Sequence, residues 1–81
     1  MYTQRLKELR TQHHLSHEEL AKILHCSQRA YSHWENGVRH LPIDMLIALA
    51  QYYHISTDYI LGLSDEGYIY LYGENQGNRY F

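Results

Sequence analysis

Apolar side chains fall at helical spacing in five stretches of this chain, each bounded by residues that start or stop helices. Tyr2, Leu6 and Leu9, with charged residues between them, predict a first helix over 3–12, ended by His13-His14. Ser16 and Glu19 are spaced as a capping box, in which each side chain satisfies a backbone N–H of the other residue. Leu15 and Leu20 sit where a hydrophobic staple closes over that cap. Leu20, Ile23 and Leu24 supply the expected buried stripe of the second helix, and Ala21 is small enough for another helix to approach. Ser27 repeats the cap, flanked by Cys26 and Tyr31, and opens a third helix from Gln28 to Asn36 that stops at Gly37. Only His25-Cys26 separates the second helix from the cap of the third, the spacing of a helix-turn-helix.

After a linker over 38–41, Pro42 suits the first position of a helix and Asp44 its first turn. Leu46, Leu49, Ala50 and Tyr53 then predict a fourth helix over 42–53. Ser56, between Ile55 and Ile60, opens a fifth over 57–61, ended by Gly62. Beyond Leu63 the period changes to two. Tyr68, Tyr70 and Tyr72 alternate with Ile69 and Leu71, and a second strand over 78–81 follows a turn over 73–77. A lone hairpin is barely stable in water, so it would pack on the helices or on a partner. The expected architecture is an all-α, five-helix domain over 1–63, with a Tyr- and Gly-rich tail over 64–81 that forms a hairpin or a dimerisation element.

Composition narrows this little. Eighty-one residues suit one domain, and 44 % apolar residues suffice for a small core. The polar N-terminus does not resemble a secretion signal, and the longest apolar run, Met45 to Ala50, is far short of a membrane span. Cys26 is the single cysteine; it is read as a buried core thiol, and nothing points to an oxidising compartment, so a cytoplasmic protein is expected. The net charge of −2 does not advertise a nucleic-acid binder. Residues 1–61 are balanced, however, with six basic side chains (Arg5, Lys7, Arg10, Lys22, Arg29, Arg39) against six acidic ones (Glu8, Glu18, Glu19, Glu35, Asp44, Asp58). Any DNA binding must rest on where charges sit.

The third helix divides them by face. Gln28, Arg29, Ser32, His33 and Asn36 share one arc, wholly polar and free of carboxylates; Ala30, Tyr31, Trp34 and Glu35 share the other. The major groove admits an α-helix, and glutamine, arginine, serine and histidine all find partners on base edges there. Ser16-His17, at the start of the second helix, suits a phosphate.

Residues 5–61 resemble the Xre/Cro/phage-repressor helix-turn-helix family of bacteria and phages. The matching segments are RLKELR, LSHEELA, SQRAYSHWENG and LPIDMLIALAQYYHISTDYILG. The resemblance implies a lambda-repressor-like domain that binds operators with inverted half-sites as a homodimer and acts as a transcriptional regulator, in the first instance a repressor. It implies that Ser27, Gln28, Arg29, Ser32 and His33 face bases, while Ser16, His17, Asn36, Arg39 and His40 hold phosphates. It also implies a structural ion pair between Arg10 and Glu35. The chain departs from the family pattern at three places. His17 stands where glutamine is usual. His25 stands where glycine is usual, and is expected at positive φ. Tyr31 stands at a branched aliphatic core position, where its hydroxyl needs a partner.

Seven histidines raise the question of a metal. His17-Glu18 opens like a zincin motif, but the fifth position is Ala21, so no metal site is expected. No constellation suggests an enzyme, a cofactor or a small-molecule substrate. Protonation of His17, His33 and His40 would add charge beside phosphates, which predicts tighter DNA binding at acidic pH. The alternative function is a protein-interaction module, an antitoxin or anti-repressor on the same fold.

Overall fold

The computed structural model describes residues 2–65 and shows five helices: α1 (Tyr2–Gln12), α2 (His17–Leu24), α3 (Gln28–Glu35), α4 (Ile43–Tyr53) and α5 (Thr57–Leu61). The hairpin expected over 68–81 lies outside the described residues. Helix α2 packs on α3, α1 packs against α3 and α5, and α4 packs against α5 and α2. Leu6, Leu20, Tyr31, Leu49 and Ile60, drawn from all five helices, are fully buried where these faces meet. Each such aliphatic side chain contributes about 2–3 kcal/mol of transfer free energy, the main term holding so small a domain together.

Three serines start three of the helices. Ser16 Oγ accepts from Glu19 N at 3.0 Å and Glu19 Oε1 accepts from Ser16 N at 2.8 Å, a complete capping box. Ser27 Oγ accepts from Ala30 N at 3.0 Å, and Ser56 Oγ from Tyr59 N at 3.1 Å. Pro42 is the N-cap of α4 rather than its first helical residue: its ψ of 150° is extended, and its carbonyl already accepts from Leu46 N at 2.9 Å. Helix α3 ends one residue earlier than the sequence suggests, at Glu35, with Asn36 as its C-cap and Gly37 following at φ 78°.

The helix ends repeat as well. His14, His25 and His54 lie in the left-handed region at φ 56°, 59° and 59°. In each case the next residue's N–H reaches back across the last turn: Leu15 to Arg10 O at 3.1 Å, Cys26 to Ala21 O at 2.9 Å, Ile55 to Ala50 O at 3.0 Å. This is the Schellman arrangement, in which an apolar residue follows the left-handed one and folds onto the helix. The next residue in each case is the capping serine. The tripeptides His14-Leu15-Ser16, His25-Cys26-Ser27 and His54-Ile55-Ser56 are therefore one connector used three times: a left-handed stop, an apolar anchor and an N-cap.

The buried stripe of α2 consists of Leu20, Ala21 and Leu24, whereas Ile23, expected among them, is exposed. Cys26 is half-buried against the core, where burial pushes its thiol pKa up. On the outer side of α4, Ile43 and Ile47 are exposed. No helix among the described residues is long and apolar enough to cross a membrane.

Candidate nucleic-acid interface

Helix α3 is held by one side and open on the other. Tyr31, Trp34 and Glu35 are buried, and Tyr31 meets Trp34 edge-on at 6.2 Å between ring centroids. Glu35 is the one buried charged residue of the described chain. Its oxygens are fully engaged. Oε1 accepts from Arg10 Nε at 2.9 Å and from the Tyr31 hydroxyl at 2.9 Å, while Oε2 lies 3.0 Å from both Arg10 Nη2 and His17 Nε2. Burial alone would raise the carboxyl pKa. Hydrogen bonds from Arg10, His17 and Tyr31, with the guanidinium charge, outweigh it and hold Glu35 at about 2. The same contact raises the Arg10 pKa, and burial beside the Glu35 charge raises that of Tyr31. Arg10 Nη1 also donates to Leu15 O at 2.8 Å, so one guanidinium ties α1, the first connector and the end of α3 together.

The opposite side of α3 is polar. Gln28, Arg29, Ser32 and His33 line a single open concavity of about 360 Å³. Asn36 Nδ2 donates to Ser32 Oγ at 3.2 Å, which places it at the C-terminal end of that row. Ser27 Oγ serves the helix cap, as does Ser16 Oγ at the start of α2. Arg39 and His40 are exposed on the segment after α3, outside the concavity. Among the described residues Arg5, Arg10 and Lys22 are paired with carboxylates, whereas Arg29 and Arg39 are not. The arginines unpaired among the described residues thus stand on the α3 polar face and just beyond it.

His17 makes a contact that the sequence does not suggest. Its Nε2 is directed inward to Glu35, its ring packs 5.8 Å from that of Tyr31, and 30 % of its side chain remains exposed. Residues 17 and 35 are too far apart in the chain for any local pattern to reveal this. The Tyr31–Glu35 bond did carry a signal, because residues four apart share a helix face. Tyr2 has a polar role that its place in an apolar stripe does not suggest: its hydroxyl accepts from Leu41 N at 3.1 Å and pins the segment carrying Arg39 and His40.

Five helices with a short connector between α2 and α3, and one polar, carboxylate-free face on α3, define a helix-turn-helix domain. The chain belongs to the helix-turn-helix family of the Xre/Cro type, whose family model matches residues 6–60. It is 42 % identical over 66 residues to the HTH-type transcriptional regulator YobD of Bacillus subtilis (strain 168), spanning 82 % of this chain and 59 % of that protein. It is 30 % identical over 60 residues to the HTH-type transcriptional activator BcrR of Enterococcus faecalis, spanning 74 % of this chain and 29 % of that one. The crystal structure of a transcriptional regulator from Listeria innocua superposes with a TM-score of 0.73 at 26 % identity, covering 96 % of this chain and 65 % of the other. The chain therefore spans less than two thirds of the length of each of these proteins. The family is one of DNA-binding regulators and not of enzymes.

Proposed function

We propose that this chain binds double-stranded DNA sequence-specifically, laying α3 in the major groove, and that it regulates transcription as a repressor in the cytoplasm. The observation that carries the reading is the concavity lined by Gln28, Arg29, Ser32 and His33, with Arg29 unpaired beside it. These side chains, with Ser27 at the helix start, are the base-facing set. Ser16, His17, Asn36, Arg39 and His40 are the phosphate-facing set. Residues 1–63 form the DNA-binding unit and 64–81 an appendage to it. An eight-residue helix reads only a few base pairs, so two copies on inverted half-sites, about one helical turn apart, supply a usable operator. Repression follows from occupancy of such a site. BcrR is named an activator, but the chain spans 29 % of it, and its sign of regulation is not carried over.

Selection of bound duplexes from a random pool, followed by titration of the selected duplex against salt, tests this. Two inverted half-sites and a steep loss of affinity with salt support it. Failure to bind any duplex at low salt overturns it in favour of a protein-interaction module, an antitoxin or anti-repressor on the same fold.

A further inference from the structure

We propose that His17 contacts a DNA phosphate only as an imidazolium, so that DNA binding takes up a proton at this residue. The inference rests on the DNA-binding reading and deepens it. Glu35 is a carboxylate and can only accept, so the His17 nitrogen 3.0 Å from Oε2 must carry a hydrogen. That fixes Nε2 as a donor in every protonation state compatible with the contact. The remaining nitrogen, Nδ1, has no hydrogen-bond partner among the described residues. His17 is the first residue of α2, directly after the Ser16 cap, and its ring is partly exposed there.

In the neutral ring Nδ1 is a lone pair, which repels a phosphate oxygen. In the imidazolium it is an N–H, which donates to one. The group that holds the ring therefore sets the condition for its outward contact. The charged and titratable groups around His17 are Glu35 and Tyr31 from α3, Arg10 from α1 through its shared hold on Glu35, and Glu18 beside it on α2. Of these, Glu18 is 3.9 Å from Lys22, and Arg10 and Tyr31 are both turned to Glu35. Glutamine, the usual residue at this position in the family, donates from its amide without titrating.

The test compares wild type with His17→Gln on a mixed-sequence duplex of about 30 base pairs at about 50 mM salt, where phosphate contacts dominate. Affinity is measured from about pH 6 to pH 8 at constant ionic strength, the range in which histidines titrate. Wild type is expected to lose roughly three- to tenfold more affinity across that range than His17→Gln, an excess of about a quarter to half a proton averaged over the two pH units. Nitrogen NMR of the wild-type imidazoles in the complex at about pH 7.5 is the second readout, with His17 protonated on both nitrogens when bound. Equal pH slopes for the two proteins, or a bound His17 bearing hydrogen on one nitrogen only, overturn the inference while leaving DNA binding in place. No binding to the duplex at any pH overturns the DNA reading and this inference together.

Discussion

Arg10 and Glu35 face each other through two parallel hydrogen bonds, Nε to Oε1 at 2.9 Å and Nη2 to Oε2 at 3.0 Å, with the Glu35 side chain only 3 % exposed. A buried ion pair of this kind adds little net stability over an apolar pair of the same shape, but breaking it strands a charge. Arg10→Ala would leave Glu35 with Tyr31 and His17 alone and would also free the Leu15 carbonyl. The expected loss is about 3–5 kcal/mol in denaturant unfolding, a large share of the 5–15 kcal/mol typical of a domain. A loss below about 1 kcal/mol would mean that Glu35 becomes protonated or hydrated at little cost.

The same carboxylate sets the acid limit of the fold. Its pKa is about 2 in the folded chain against an ordinary value of 4.5, so its contribution is fully present above about pH 4.5 and is lost as pH falls through about 2. The net shift corresponds to about 3 kcal/mol: the Arg10, His17 and Tyr31 bonds supply more than this, and burial takes part of it back. Unfolding free energy measured from about pH 5 down to pH 2 should fall steeply for wild type and much less for Glu35→Gln, which has nothing to titrate there. Parallel curves would place the acid sensitivity on other carboxylates.

What the chain reveals without its structure is what local chemistry writes into it. The caps at Ser16, Ser27 and Ser56, and the division of α3 into two faces, follow from spacings of three and four. The same arithmetic groups Gln28, Arg29, Ser32 and His33 before any concavity is seen. The threefold connector was equally visible as a repeated tripeptide, and histidine is among the residues enriched at positive φ. It hides because histidine first suggests ligands and acid–base chemistry. Long-range facts had no such trace. Ile23 is exposed because of which face of α2 the neighbouring helices cover, and His17 meets Glu35 across eighteen positions of chain.

The connectors lead to a prediction of gain rather than loss. A non-glycine residue in the left-handed region costs about 1 kcal/mol or more, which glycine avoids, though glycine also loses more freedom on folding. His25→Gly should therefore stabilise the fold by up to about 1 kcal/mol. His25→Val, branched at Cβ, should destabilise it by about 1–2 kcal/mol. His25 is exposed and outside the α3 concavity, so duplex affinity should be the same for His25→Gly and wild type. Thermal unfolding of the two variants checks the sign. A stabilising valine would show that the left-handed backbone at this connector is not what limits it.

Substitutions on the polar side of α3 should separate reading from holding. Gln28 and Arg29 are exposed and line the same concavity, so neither alanine variant should shift the unfolding midpoint. On the selected duplex, each should cost about 1–3 kcal/mol and relax preference at one position per half-site, because the bonds lost are to base edges. Arg39 stands on the segment pinned by Tyr2 and has no carboxylate partner among the described residues, which suits a phosphate instead. Arg39→Ala should weaken all duplexes alike and lower the salt slope by about one per protomer. Binding measured on the selected duplex, on single-base variants of it and across a salt series distinguishes the two behaviours. If Arg39→Ala alters base preference while Gln28→Ala and Arg29→Ala do not, the segment after α3 reads the sequence and α3 only holds the backbone.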